Sequence, residues 1–202
     1  VVMYFNETHD AFRTSVRKFV DKEINPYMDA WEETGVPLHE LFKKMGDLGF
    51  LGIRYDPQYG GQGLDYWYET ILLEELGHIH GMGVSTAIAV QTNMATPAIA
   101  AFGSPFLKET YLRPAIAGDM VAAIAVTEPD AGSDVAAIKT RAVRRGDRYV
   151  INGSKTYITN GTQADFLTLL AKTGDAGYHA FGLFVVPTNL PGFHVSKKLD
   201  KI

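Results

Sequence analysis

The feature that most constrains the fold is a change of hydrophobic period near residue 118. Ahead of it, apolar residues recur at three- and four-residue intervals, the spacing that lines one face of a helix. Beyond it, they form short alternating or continuous runs between glycine turns, the spacing of strands. Helices first and strands afterwards, with no alternation, predict segregated layers and argue against a βαβ sheet. The expected fold class is α+β multidomain, with residues 1–118 an all-α helical domain and residues 119–202 an antiparallel β domain, a sandwich or barrel.

In the first half, Thr8 to Ile24 carries Phe12, Val16, Phe19 and Val20 on one stripe. Asn6 or Thr8 is placed to cap it, and Asn25-Pro26 is expected to end it. Pro37 opens a second helix with Leu38, Leu41, Phe42 and Met45 on its apolar face, and Gly49 suits the left-handed position after it. Asp65 to Ile79 repeats the pattern through Trp67, Ile71, Leu72 and Leu76. Gly83 to Phe102 reads as a helix buried on most sides and bent at Pro97. Ser104-Pro105 then opens a last short helix to about Leu112.

The second half offers strands at Met120–Val126, 138–145, Arg148–Asn152, Lys155–Thr159, Phe166–Ala171 and Phe181–Val186. In 138–145, Ile138, Thr140 and Ala142 oppose Lys139 and Arg141. Gly146-Asp147 and Asn152-Gly153 supply turns. Several short strands at this spacing suit a compact sandwich or barrel.

Composition narrows the function. Of 202 residues, 46% are hydrophobic and 21% charged, which permits a real core and excludes disorder and collagen-like repeats. A net charge of −4 disfavours a nucleic-acid partner. No apolar run reaches the roughly 18–20 residues of a membrane span. Cysteine is absent, so disulfides, thiolate metal sites and cysteine nucleophiles are excluded, and a reducing compartment fits. Neither a signal nor a transit peptide is visible. Val1 opens the chain in place of Met, and some preceding sequence is expected.

Three motifs read as structure. Glu75-Leu76-Gly77-His78 has the E-x-x-H spacing of di-iron bundles, but no second copy accompanies it, and His78 and His80 suit a solvated helix end. Arg145-Gly146-Asp147 lies between two strand patterns and is turn chemistry. Tyr59-Gly60-Gly61-Gln62-Gly63 lacks both a preceding strand and a Lys-Ser/Thr, so it is neither a dinucleotide fingerprint nor a P-loop.

Two stretches remain. Thr127-Glu128-Pro129-Asp130-Ala131-Gly132-Ser133-Asp134 leaves a buried strand for a loop of small residues, where backbone N–H groups and Ser133 could reach a phosphate; an Asx turn at Asp130 explains the same residues. Tyr157-Ile158-Thr159-Asn160-Gly161 sets an aromatic and a hydroxyl on one strand face, suited to a flat redox ring; by spacing alone a cross-strand aromatic pair is favoured.

These residues resemble the acyl-CoA dehydrogenase family. The likeness is carried by 125–134 (Ala-Val-Thr-Glu-Pro-Asp-Ala-Gly-Ser-Asp), 150–161 (Val-Ile-Asn-Gly-Ser-Lys-Thr-Tyr-Ile-Thr-Asn-Gly), 183–187 with Pro191-Gly192-Phe193, and more weakly by 48–52, 59–64 and 111–118. It runs over essentially the whole chain. The resemblance implies a helical N-terminal domain, a middle β-barrel domain and bound FAD. It also implies oxidation of an acyl-CoA substrate to the trans-2-enoyl-CoA in fatty acid β-oxidation, with electrons passed to an electron-transfer flavoprotein. Ile124, Ala125, Val126 and Thr127 would edge the flavin. Gly132 and Ser133 would face the FAD pyrophosphate, with Ser133 also at the acyl-CoA. Tyr157, usually Trp or Phe in the family, would cover one flavin face beside Ile158, and Thr159 would bond near N5 and O4. Asp130 departs from the commoner Gly and brings a negative charge near an anionic ligand.

The family's base is a Glu in a C-terminal helical domain. This chain is expected to stop short of it, so no catalytic residue is assigned here. Without that domain, the architecture is incomplete, the 202-residue chain alone is expected to be inactive, and apolar surface should be left exposed. The resemblance further implies a homo-oligomer, tetramer or dimer, in the bacterial cytoplasm or mitochondrial matrix. Two alternatives stand beside it: a non-catalytic binding or assembly module on the same fold, and another flavoenzyme of the monooxygenase or nitroalkane oxidase type.

Overall fold

The computed structural model describes residues 4–175 and 177–199. Contacts divide the chain into two units, Val1–Val121 and Ala122–Ile202.

In the first unit, Asn6 caps α1 (Glu7–Phe19): its side chain accepts the N–H groups of Thr8 and His9, and His9 Nδ1 accepts the Asn6 N–H in return. This reciprocal box satisfies donors that a helix start leaves open. The helical path does not end at Asn25-Pro26. A π-turn at Val20–Ile24 and a 3-10 turn at Asn25–Tyr27 carry it into α2 (Met28–Thr34). Pro26 lies in the first turn of the 3-10 segment, where its missing N–H breaks no bond, and Val20, Ile24 and Met28 stay buried.

Helix α3 (Leu38–Asp47) buries Leu38, Leu41, Phe42 and Met45. Gly49, after it, has φ 77, and α4 (Tyr66–Leu76) is capped by Asp65. The expected long helix from Gly83 is divided into α5 (Met82–Ala89), a π-turn at Val90–Ala95 and α6 (Pro97–Phe102). Pro97 cannot donate, and the Thr96 hydroxyl bonds the Gln91 carbonyl at 2.6 Å within the widened turn. Ser104 caps α7 (Pro105–Leu107), which a further π-turn joins to α8 (Arg113–Ile116). The core of this unit gathers Val16, Val20, Ile24, Phe42, Met45, Leu72 and Ile88.

The second unit holds β1 (Ala122–Ala125), β2 (Arg141–Arg145), β3 (Arg148–Asn152), β4 (Phe166–Lys172) and β5 (Phe181–Pro187). Strand β4 is central. β5 runs antiparallel along its whole length, whereas β1 and β2 both pair with it in parallel, Ala122–Ala125 against Phe166–Leu169 and Arg141 against Lys172. β2 and β3 form an antiparallel hairpin. The sheet is therefore mixed, and among the described residues it does not close, so the barrel expectation holds only loosely. It departs from the antiparallel expectation because the four residues of β1 leave the end of the β4 edge for β2, which continues β1 in the same direction after an excursion through 126–140. Ala123, Ala125, Ala142, Leu167, Leu169 and Ala171 form the core on one face.

The expected strand at Lys155–Thr159 does not form. Tyr157 (φ 56) and Asn160 (φ 67) adopt left-handed backbone, which breaks strand alternation. The hydrogen bonds of Lys155 and Thr156 go to a loop instead of a strand edge, as the site geometry shows.

Candidate functional site

The excursion 126–140 is closed at its base by one carboxylate. Glu128 is buried. Its Oε2 accepts the Lys139 N–H at 2.5 Å, and its Oε1 accepts the Thr140 N–H at 2.9 Å, the Thr140 hydroxyl and Lys155 Nζ at 2.9 Å. Three donors converge on Oε1 and one on Oε2, all of them favouring the ionised carboxylate. Paired bonds between Glu128 and Ala131 (2.8 and 3.2 Å) tighten the turn further. Beyond these anchors the tip is exposed, with Gly132 and Ser133 on it.

The segment after β3 is bound to the same base. Lys155 Nζ donates to the Val126 carbonyl at 2.8 Å as well as to Glu128, and the Thr156 N–H donates to the Thr127 carbonyl at 3.0 Å. Gly153 permits this approach: a Cβ there would lie 2.2 Å from the Thr140 hydroxyl oxygen. Farther on, buried Asn160 donates from Nδ2 to the Ala122 carbonyl at 3.1 Å, tying the 159–163 turn to the start of β1.

Electrostatics follow from this packing. Burial pushes the Glu128 carboxyl up, but the Thr140 hydroxyl, the Lys139 N–H, Lys155 and the Thr140 N–H overcome it and lower the pKa to about 2. At Lys155, burial prevails over Glu128 and lowers the ammonium from its ordinary value. The two partners differ because the carboxylate collects four donors whereas the ammonium has one anionic acceptor. Asp130, an added negative charge on the loop, is paired with Lys139 at 2.7 Å.

Ile124 is half-buried on β1 opposite Thr168, and Ala125 is buried in the core. Val126 and Thr127 follow, half-buried, where β1 ends. Tyr157 is 67% exposed, and Ile158 and Thr159 are half-buried. Thr127 and Tyr157 therefore belong to segments bonded to each other, whereas Ser133 stands at the exposed tip with no bond to either. Among the described residues, nothing accepts from or donates to the Thr127, Ser133 and Thr159 hydroxyls. Hydroxyl donors on the linked Thr127 and Thr159 segments, the exposed Tyr157 ring and Ser133 on the exposed loop tip are group types that a flat ring with a polar edge and a phosphate tail can use.

Sequence reasoning passed over Lys155, Thr140 and Asn160. The available signal was a lysine inside an otherwise apolar and hydroxyl-bearing run, a residue that stays charged when buried only beside a partner. The E-x-x-H element is spent elsewhere: Glu75 is held by Arg13 and Arg17, and the His78 and His80 side chains are not buried with it. Among the described residues, no cluster of three metal-ligating side chains is present and no helix is long and apolar enough to cross a membrane.

Comparison with known proteins adds a family context. The model for the acyl-CoA dehydrogenase N-terminal domain matches residues 6–119, and that for the acyl-CoA dehydrogenase middle domain matches 123–202. A mitochondrial 2-methylacyl-CoA dehydrogenase from Solanum tuberosum is 38% identical over 99% of this chain and 49% of its own length. The crystal structure of an acyl-CoA dehydrogenase from Geobacillus kaustophilus superposes with a TM-score of 0.93 at 38% identity, covering 100% of this chain and 53% of that one. A glutaryl-CoA dehydrogenase from Mycobacterium smegmatis in complex with FADH2 gives a TM-score of 0.85 at 34% identity, covering 93% and 47%. The chain spans about half the length of the curated relatives it matches.

Proposed function

Because this chain belongs to the acyl-CoA dehydrogenase family, we propose that it forms the FAD- and acyl-CoA-binding part of an enzyme converting an acyl-CoA thioester to its trans-2-enoyl-CoA. One observation supports the reading: the Thr127 and Tyr157–Thr159 segments are bonded together through Lys155 and Thr156, and the Thr127 and Thr159 hydroxyls make no bond to a described residue. When bound, FAD supplies the two-electron acceptor. In this reading Ile124 to Thr127 edge the ring, Thr127 donates to its pyrimidine side and Thr159 donates near N5 and O4. Tyr157 and Ile158 cover one face. Gly132 and Ser133 meet the pyrophosphate, and Ser133 also meets the acyl-CoA. The resemblance of the chain to a dehydrogenase solved with FADH2 supports the cofactor.

Removal of the substrate α-proton needs a carboxylate within hydrogen-bond reach that can accept it. Glu128 is not that group, since it is buried, four donors already hold it as the carboxylate and its pKa is about 2. We assign the base to no residue of this chain. Electron transfer to an electron-transfer flavoprotein, a homo-oligomeric state, and a bacterial cytoplasmic or mitochondrial compartment belong to the same proposal.

The test is to purify the longest natural chain and record its visible spectrum while acyl-CoAs of graded length are added. Flavin bleaching without added reductant is the expected result. A colourless protein that never takes up FAD overturns the reading.

A further inference from the structure

Lys155 is a buried cation that the proposed chemistry does not use, and its two bonds are unequal in kind. One, to Glu128 Oε1 at 2.9 Å, keeps the ammonium charged in a site where it would otherwise be costly. The other, to the Val126 carbonyl at 2.8 Å, falls on the peptide whose N–H belongs to Thr127, and no described residue accepts that N–H. A carbonyl accepting from a cation draws electron density across its peptide and makes the N–H on the far side a stronger donor. The same lysine is followed by Thr156, whose N–H holds the Thr127 carbonyl. Thr127 is thus fixed from both of its flanking peptides by residues of the second loop.

Resting on the flavin reading above, we propose that Lys155 is a positioning residue. It holds the Val126–Thr127 peptide against the second loop and polarises it, so that the Thr127 N–H binds the electron-rich pyrimidine edge of a reduced flavin more strongly, with Glu128 keeping the cation in place. A donor that gains strength toward a more negative ring favours the reduced form.

The test uses the longest natural chain with Lys155→Met, Glu128→Gln and the double substitution. The readouts are thermal unfolding without FAD, FAD affinity by absorbance titration, and flavin midpoint potential. Each single variant leaves one buried partner unmatched and should lower the unfolding midpoint. The double variant leaves no orphaned charge and should regain most of that loss. It should nevertheless bind FAD at least about ten-fold more weakly, a difference of about 1.4 kcal/mol, and shift the flavin to a more negative potential. Complete loss of FAD from a folded double variant also supports positioning. A double variant with wild-type affinity and potential overturns the inference and leaves the flavin reading intact. A wild-type chain that takes up no FAD overturns both.

Discussion

Lys155 Nζ lies 2.9 Å from Glu128 Oε1, and the side chains are 7% and 4% exposed. A full ion pair inside a small sheet unit is tolerable where further hydrogen bonds offset its lost hydration. Here Glu128 collects four donors and Lys155 also donates to the Val126 carbonyl, and the pair closes a twelve-residue span, since Glu128 also bonds the Thr140 N–H. The pair thus explains how an exposed, glycine-bearing loop keeps a defined base.

Its stability contribution has a definite pH dependence. The Glu128 carboxyl is lowered from 4.5 to about 2 on folding. A depressed carboxylate stabilises the fold fully above its unfolded value and loses that contribution as pH falls through the folded one. Glu128→Gln should therefore cost on the order of 3 kcal/mol at pH 7. The gap to wild type should shrink as pH falls below about 4.5. Denaturant titrations at several pH values measure it, and a gap that stays constant down to pH 3 would refute the assignment.

The helical unit holds a second buried carboxylate with a different environment. Glu75 receives Arg13 Nη1 at 2.9 Å and Arg17 Nε at 2.5 Å. Burial raises its pKa, and the two arginines more than reverse that. Glu75→Gln should cost about 3 kcal/mol, the low end for a broken buried pair, because Arg13 and Arg17 remain 31% and 40% exposed and can rehydrate. Glu74→Gln, which removes a partly exposed partner of Arg13, should cost less than about 1 kcal/mol. Equal losses in chemical denaturation would contradict this account.

Close backbone approach makes a third prediction. Gly118 has φ 76, and a Cβ there would lie 2.0 Å from the Phe42 carbonyl oxygen. Gly60 shares the left-handed backbone, φ 92, but a Cβ would meet nothing within 4 Å. Gly60→Ala should cost about 1–2 kcal/mol, the conformational penalty alone. Gly118→Ala should cost clearly more, since backbone must move, and its unfolding midpoint should fall well below that of the Gly60 variant. Comparable midpoints would show that α3 yields freely.

The elements that were legible in the sequence are those set by local period. Leu38, Leu41, Phe42 and Met45 fall on one helical face and are all buried, and the alternation of Ile138, Thr140 and Ala142 against Lys139 and Arg141 persists although β2 begins only at Arg141. What stayed hidden was set by distant partners. Lys155–Thr159 has a strand-like composition, yet its conformation follows from bonds to Val126 and Glu128, 29 and 27 residues away. Parallel pairing of β1 and β2 with one edge of β4 leaves no local mark. At the candidate site, the motifs located the hydroxyls, whereas the lysine that joins their loops reads in isolation as a solvated charge.

Tyr157 shows what that hidden geometry costs. A bulky aromatic at φ 56 is uncommon, and such backbone carries about 1–2 kcal/mol of strain. Glycine adopts the same conformation without it. Tyr157→Gly should therefore weaken FAD uptake by removing the exposed aromatic face, while the relieved strain offsets part of the stability lost to the greater freedom of a glycine in the unfolded chain and keeps the net loss within about 1 kcal/mol. A more strongly destabilised variant with undiminished FAD affinity would mean that the ring serves packing.

Thr159 separates the flavin reading from a purely structural one most directly. Its hydroxyl is half-buried and makes no bond to a described residue, so Thr159→Val, which is nearly isosteric, breaks nothing in the FAD-free chain. Unfolding should stay within about 0.5 kcal/mol of wild type. Flavin affinity should fall, or the potential should become more negative, because a donor near N5 and O4 favours the reduced ring. His78→Ala, outside the sheet unit altogether, should change neither quantity. If His78→Ala altered the flavin and Thr159→Val did not, the ring would have to be sought away from these loops.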